Sequence, residues 1–409
     1  MLKNPKMKST GQTKAFRARW LMLDSDTWIS DGYVEILSNG LIKNCGSFPK
    51  KQLENLVDLG DGILMPSLIN AHTHLELSAL KNRIPMHMGF QNWVSELIKE
   101  RLIMGPERLI SEAKNACQFL WENGICTVGE ISSLGLTRDL LINSKLNGVY
   151  FYELFGNEIP DHATLNMTSN NISLSFAGHA PHTTSPNLFR ELKQKTCGKP
   201  FSIHVAESEL EIEFITSGKG PWADFLVSRE VDFKNWNLPQ KSPVQHLDFI
   251  GVLDSNTLIV HLLHFDESDA NIIIKNQCPV CVCPRSNQNL HKSLPDIELM
   301  IQKGITVCLG TDSLASVDSL SIWDEMKYVY SNYPNLSPKK ILSMATQAGA
   351  KALGYENHLG CIAPGYSACL IYIPINDNSV EKITHKMVAG DFSKESIQCI
   401  QVNKNEQIK

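Results

Sequence analysis

The chain has 409 residues, enough for one large domain or for two to three ordinary ones. Hydrophobic residues make up 43% and charged residues 20%, which is typical of a soluble globular protein with a large core. The net charge of −5 gives no support for a nucleic-acid partner, and no apolar run has the ~18–20 residues that a membrane span needs.

The first 23 residues carry only basic charges. No small apolar segment of a signal peptide follows them, so we predict a flexible, solvated tail over residues 1–14. The 11 cysteines are odd in number and have no framework spacing. Such cysteines are typical of reduced thiols in a cytoplasmic protein.

Residues 15–64 contain short β patterns at 16–23, 32–37 and 40–45, separated by turn residues. They predict the N-terminal part of a small β domain. The segment 357–409 returns to this character, with a strand at 368–373 and a further one at 398–402. We expect the two terminal segments to pair into one small β-sandwich domain.

Between these segments, apolar runs alternate with amphipathic helical stretches such as 90–101 and 107–123. The eight runs lie at residues 64–71, 125–131, 149–154, 172–177, 201–206, 257–262, 279–283 and 305–309. Apolar strands alternating with helices predict a parallel sheet covered on both faces. We therefore predict an α/β fold with a (β/α)8 TIM-like barrel over residues 65–356, whose chemistry lies at the carboxyl ends of the strands.

Histidines and one aspartate follow these runs. His72 and His74 end the first run, and residues i and i+2 of a strand share a face, so both can reach one metal ion. His204, His261 and Asp312 end the fifth, sixth and eighth runs. A single histidine at a strand end is structural more often than not, and an aspartate such as Asp312 is often only a helix N-cap. Together at one rim, imidazole and carboxylate suit Zn²⁺ or Fe²⁺ with an open position for water.

Several motifs resemble the amidohydrolase superfamily, over nearly the whole chain. They are Pro66-Ser-Leu-Ile-Asn-Ala-His-Thr-His74, Gly178-His-Ala-Pro-His-Thr-Thr184, His204-Val-Ala-Glu207, Cys283-Pro-Arg-Ser-Asn287 and Leu309-Gly-Thr-Asp312. Within it the chain resembles the aminohydrolases and chlorohydrolases of ring amidines, and is most similar to the aminodeoxyfutalosine deaminases of menaquinone biosynthesis.

The resemblance implies a role for each matching residue. The metal ligands it implies are His72, His74, His204 and Asp312, for one divalent ion, with Zn²⁺ expected and Fe²⁺ and Mn²⁺ as alternatives. Glu207 would be the proton shuttle, His261 and Asp312 would orient the attacking water, and His179 would face the substrate. Two-metal members use a carboxylated lysine at the end of strand four, and residues 173–180 contain no lysine.

Substrate contacts are less defined by the sequence. Phe90 and Trp93 are candidates for stacking on a ring, with helix core as the alternative. Arg285 is a candidate for binding a carboxylate or phosphate, with a salt bridge on the rim as the alternative. Cys281 and Cys283 share one face of the seventh strand, which favours barrel packing over a metal site.

The implied activity is hydrolytic deamination of an aminopurine nucleoside from 6-amino to 6-oxo with release of ammonia, with aminodeoxyfutalosine as the expected substrate. The alternatives are adenosylhomocysteine, methylthioadenosine, adenosine or guanine deaminases, and triazine-type chlorohydrolases or aminohydrolases. An alternative of another class is a non-catalytic metal-binding barrel. We expect a small-molecule substrate as the partner, and leave open whether the protein forms a homodimer.

Overall fold

The structure is a computed structural model that describes residues 13–400 except 51–52, 162, 164, 166–168 and 170. Most of the predicted N-terminal tail and residues 401–402 of the predicted last strand lie outside the described residues. The predicted fold class is confirmed, because an eight-stranded parallel barrel stands beside a sheet built from the two ends of the chain. Among the described helices, none has both the length and the apolar character needed to cross a membrane.

The described residues form fifteen strands, numbered in chain order. They are β1 (Thr13–Met22), β2 (Trp28–Leu37), β3 (Ile42–Ser47), β4 (Leu56–Asp58), β5 (Ile63–Pro66), β6 (Leu68–Thr73), β7 (Ile125–Ser132), β8 (Asn147–Leu154), β9 (Ile172–Gly178), β10 (Phe201–Val205), β11 (Thr257–His261), β12 (Val280–Val282), β13 (Val307–Leu309), β14 (Leu370–Ile373) and β15 (Gln398–Ile400). The terminal sheet has the order β15-β14-β5-β1-β2-β3, with β4 beside β1. The barrel consists of β6 to β13 in sequence order.

The described helices cover the barrel and connect its strands. They are α1 (Phe90–Glu122), α2 (Arg138–Ile142), α3 (Pro186–Lys195), α4 (Glu209–Ser217), α5 (Pro221–Ser228), α6 (Pro243–Ile250), α7 (Glu267–Asn276), α8 (Pro284–His291), α9 (Ile297–Gln302), α10 (Ile322–Asn332), α11 (Pro338–Met344), α12 (Gln347–Ala352) and α13 (Val380–Ala389). Short 3-10 helices lie at Leu75–Leu80, Met86–Met88 and Lys394–Ser396. All eight residues of β7 are buried, as expected for a strand covered on both faces.

The first apolar run serves both sheets. The sequence predicts one strand over 64–71, whereas the structure divides the run at Ser67 into β5 of the terminal sheet and β6 of the barrel. Pro66 ends β5, because proline has no amide hydrogen to continue a ladder. The amide of Ser67 donates to the carbonyl oxygen of Cys369, at 3.0 Å, so the division is held by the C-terminal segment.

The two predicted helices after the first barrel strand form one kinked helix, α1. Gly105 interrupts it with a φ of +69°, a left-handed conformation that glycine adopts at little cost, and Pro106 follows. The half that precedes Gly105 therefore takes its own direction over the mouth of the barrel.

The barrel closes between β13 and β6. The amides of Thr311 and Asp312 donate to the carbonyl oxygen of His72, at 3.0 and 3.2 Å. In return the amide of His74 donates to the carbonyl oxygen of Asp312, at 3.2 Å. The closure thus brings an aspartate beside the histidine pair.

Gly129 lets β7 approach β6 closely. A Cβ atom at this position would lie 2.2 Å from the carbonyl oxygen of Ala71, a backbone atom that cannot rotate away. We expect Gly129→Ala to lower the free energy of unfolding by about 1–3 kcal/mol, the usual cost of overpacking. The measurement is the urea midpoint followed by circular dichroism. A midpoint equal to that of the wild type would show that β6 moves aside without cost.

Candidate active site

The carboxyl ends of the barrel strands line a cavity of about 470 Å³. This volume lies within the range of small-molecule sites. Among the residues that line it are His74, His204, His261, Asp312 and Glu207. All five are buried, and each lies at or just beyond the end of a barrel strand.

His72 is the centre of the histidine cluster. Its ring centroid lies 4.9 Å from that of His74, 4.9 Å from that of His204 and 5.9 Å from that of His261. The ligand atoms of His72, His74 and Asp312 lie within 4.8 Å of one another, and those of His72, His204 and His261 do the same. One ion could therefore contact groups from β6, β10, β11 and the segment after β13.

The ring nitrogens of His72 fit a metal ligand. Its side chain has no exposed surface, and no hydrogen-bond partner among the described residues reaches either nitrogen. Burial lowers the pKa of His72 and His74 well below the usual value, and the neighbouring histidines lower it further. Both rings are therefore neutral and keep a lone pair, the form in which imidazole binds a metal.

Asp312 is held with one oxygen towards the histidines. Its Oδ2 accepts hydrogen bonds from the hydroxyls of Ser286, at 2.6 Å, and Ser316, at 2.9 Å. Its Oδ1 lies 3.6 Å from Nε2 of His74. The backbone of Asp312 has a φ of +61° and that of His261 a φ of +73°. Such left-handed conformations are costly for residues other than glycine, and they occur most often at functional sites.

Glu207 lies between two histidines. Its Oε1 is 3.1 Å from Nε2 of His291 and 3.7 Å from Nε2 of His261. Its amide and that of Ala206 both donate to the buried carboxylate of Glu211, at 2.9 Å. Burial alone would raise the pKa of Glu207, but His261, His291 and His204 together hold it below its usual value.

Burial in the site also raises the pKa of two further carboxyl groups. Burial, and then the negative charge of Glu207, raise the pKa of Asp312 to about 6. Burial raises the pKa of Glu153, at the end of β8, to about 8. A cation among these groups would offset the cost of burying their charges.

The predicted substrate contacts other than Arg285 line the cavity. Phe90 and Trp93 lie in its wall with their rings stacked, at a centroid distance of 6.1 Å. His179 lines it beside His204, and its Nδ1 lies 2.6 Å from the hydroxyl of Thr183.

Arg285, which the sequence offered as a substrate contact, does not lie among the residues that line the cavity. Its guanidinium contacts Asp318, donates to the carbonyl oxygen of Ser319 at 3.1 Å and lies 3.5 Å from Glu325. Its donors and charge are thus used within the protein, in the salt bridge that the sequence offered as the alternative.

The polar residues near the cavity that the sequence predictions missed include Arg101, Glu153, His182 and His291. Glu153 ends a barrel strand and His182 belongs to the motif at Gly178, so both carried a signal. Arg101 and His291 are on helices, where no pattern in the sequence indicates which residues face a cavity. Cys281 and Cys283 lie in an apolar cluster inside the barrel, which agrees with the predicted packing role.

Known proteins resemble the chain over most of its length. It is 28% identical over 321 residues to the aminodeoxyfutalosine deaminase of Deinococcus radiodurans, covering 71% of this chain and 73% of that protein. It is 26% identical over 372 residues to the 5-methylthioadenosine/S-adenosylhomocysteine deaminase of Caldanaerobacter subterraneus, covering 85% and 81%. The crystal structure of Helicobacter pylori aminofutalosine deaminase with methylthio-coformycin has a TM-score of 0.81 and 23% identity, covering 96% of this chain and 99% of that one, and shows that the fold is shared.

The family is shown by a match over most of the sequence. The family model described as the amidohydrolase family matches residues 63–392. This match and the buried histidine and aspartate cluster together indicate a divalent-metal site. The chain therefore belongs to the amidohydrolase family, and it is a hydrolase that acts on carbon–nitrogen bonds.

Proposed function

We propose that the protein is a metal-dependent deaminase of an adenine nucleoside, with aminodeoxyfutalosine as its substrate. The observation that carries the proposal is the placement of Glu207, a buried carboxyl group, beside the cluster and within the same cavity. The relatives named as aminodeoxyfutalosine and methylthioadenosine deaminases support the substrate class. Such a reaction would belong to menaquinone biosynthesis in the cytoplasm.

In this proposal His72, His74, His204 and Asp312 hold one divalent ion, and Zn²⁺ suits three imidazoles and a carboxylate. The ion would supply Lewis acidity and lower the pKa of a water molecule. His261 and Asp312 would orient that water. Glu207, whose pKa is held below its usual value, would take one proton of the water and deliver it to the ring nitrogen next to the attacked carbon, the general acid–base task. The water oxygen would form a bond to that carbon, His261 and Asp312 would accept the second proton of the water and pass it to the amino group, and the C–N bond would break so that ammonia leaves and the oxo product remains.

Phe90, Trp93 and His179 are proposed to contact the substrate. The two aromatic rings offer an apolar face to a flat base, and His179 lies next to His204 with its ring centroid 5.1 Å away. These residues would hold the nucleoside in the cavity and exclude water other than the reacting molecule.

A second candidate is a methylthioadenosine/adenosylhomocysteine deaminase, which the relative from Caldanaerobacter favours because it covers more of the chain. A panel assay separates the candidates. We expect release of ammonia from aminodeoxyfutalosine with the highest kcat/KM, and lower values for methylthioadenosine, adenosylhomocysteine and adenosine. Guanine should release no ammonia and a chlorotriazine no chloride when they are tested in parallel. The proposal is wrong if no adenine nucleoside releases ammonia in the presence of Zn²⁺, Fe²⁺ or Mn²⁺.

A further inference from the structure

Arg101 places a cationic group in the cavity wall. It lies on the first half of α1, before the bend at Gly105, and lines the same cavity as His74 and Glu207. Among the described residues, its guanidinium forms no direct ion pair with an Asp or Glu, and its buried Nε has no hydrogen-bond partner. The residue as a whole is half-buried, and a guanidinium with free donors in the wall of a cavity favours a ligand that supplies an anionic group.

Hydrogen bonds through Ser133 to Glu76 orient the guanidinium of Arg101. Its Nη1 donates to the hydroxyl of Ser133, at 3.1 Å, and that hydroxyl donates to Oε1 of Glu76, at 3.0 Å. Glu76 is 1% exposed and also accepts hydrogen bonds from the hydroxyl of Ser132, at 2.7 Å, and from the amide of Ser133, at 2.9 Å. The guanidinium is therefore held in place before any ligand binds, which reduces the entropic cost of binding.

The cavity wall to which Arg101 belongs is mainly aromatic and aliphatic. The cavity wall includes Leu97, Phe155, Trp222 and Phe225, besides Phe90 and Trp93. A guanidinium in an apolar wall binds a carboxylate strongly, because few water molecules compete and because its planar fork matches the two oxygens. The combination fits an anionic group attached to an apolar ring better than it fits a free inorganic ion.

A second arginine in the wall has a different setting. Arg229 is exposed to solvent and its guanidinium lies 5.3 Å from the ring centroid of Phe225. Its charge is screened by water, so an ion pair there would contribute little. Arg229 therefore offers a matched control for the effect of a positive charge near the cavity.

We infer that Arg101 is the specificity-determining residue that binds a carboxylate on the substrate, at a distance from the carbon that is attacked. This inference rests on the proposed function, since it takes the substrate to be a nucleoside that carries an aromatic carboxylate and assigns Arg101 to bind that carboxylate. Arg101 takes the role that the sequence had offered for Arg285. A nucleoside without a carboxylate makes no use of the contact.

The first test compares kinetics of the Zn²⁺-loaded wild type, Arg101→Met and Arg229→Met. In Arg101→Met we expect kcat/KM for aminodeoxyfutalosine to fall about 10- to 100-fold, the scale of a lost charged hydrogen bond, mainly through KM. Turnover of methylthioadenosine should stay within about 3-fold of the wild type, the scatter of a surface change, which also shows that the variant is folded. Arg229→Met should resemble the wild type. Equal losses for both nucleosides, or an equal loss in Arg229→Met, overturns the inference.

The second test needs no turnover and uses calorimetric titration with benzoate and with the neutral isostere benzamide. We expect benzoate to bind the wild type at least about 10-fold more tightly than it binds Arg101→Met, and benzamide to bind both equally. Equal benzoate affinity overturns the inference. If the wild type deaminates no nucleoside but still binds benzoate through Arg101, the proposed function fails and the assignment of the anion site stands.

Discussion

Glu207→Gln is expected to reduce kcat by about 10²- to 10⁴-fold, the usual contribution of a general acid–base group. Glutamine has the same shape as glutamate and can keep the hydrogen bond to His291, which spans 3.1 Å in the wild type. Its amide, however, cannot carry the proton that the reaction needs. The change should appear in kcat more than in KM, because the proton is needed only as the reaction proceeds. The measurement is steady-state release of ammonia at saturating substrate.

The metal content separates this role from a structural one. Glu207→Gln should bind as much metal as the wild type, since Glu207 is not among the groups proposed as ligands. His264→Asn is a suitable control that should keep both the metal and the kcat of the wild type, because His264 is only partly buried and is not among the cavity residues. A Glu207→Gln enzyme with near wild-type kcat would remove Glu207 from the mechanism. Loss of metal in this variant would indicate that its effect is indirect.

Much of the fold could be predicted because local patterns determine it. The barrel strands are short, mainly apolar runs with helices between them, and all eight residues of β7 are buried although they include Thr127 and Glu130. The division of the first run at Ser67 could not be predicted in the same way. It depends on the pairing of β5 with β14, in which Met65 lies opposite Ile371, a contact between the two ends of the chain.

The site was predictable to the extent that the strands determine it. In a parallel barrel every carboxyl end of a strand points to one rim, so the order of His72, His204, His261 and Asp312 in the sequence was enough to predict their convergence. The sequence could not show which arginine lies in the cavity wall. Arg285 pairs with Asp318 and Glu325, 33 and 40 residues away, and Arg101 reaches the cavity through the packing of α1. Both facts depend on tertiary contacts that leave no local pattern.

His72→Ala should abolish stable metal binding and reduce deamination to the background rate. His72 belongs to two of the three groups in the described chain that could hold an ion, and these two contain all the proposed ligands, so its removal affects both. The loss of metal affinity should exceed the about 10- to 100-fold cost of losing a residue that only orients a ligand. The measurements are elemental analysis after mild purification, and turnover with added Zn²⁺, Fe²⁺ or Mn²⁺.

A second buried histidine provides the control for this prediction. His246 on α6 also has no exposed surface, and neither of its ring nitrogens has a hydrogen-bond partner among the described residues. It belongs to none of the three groups found in the described chain, so orphaned nitrogens alone do not identify a ligand. His246→Ala should lose stability to the cavity it leaves but keep the metal and the activity. A chelator should lower the thermal midpoint of the wild type and of His246→Ala, since metal bound only to the native state stabilises it, and leave that of His72→Ala unchanged. If His72→Ala retains a full equivalent of metal, the ion is not bound at this cluster.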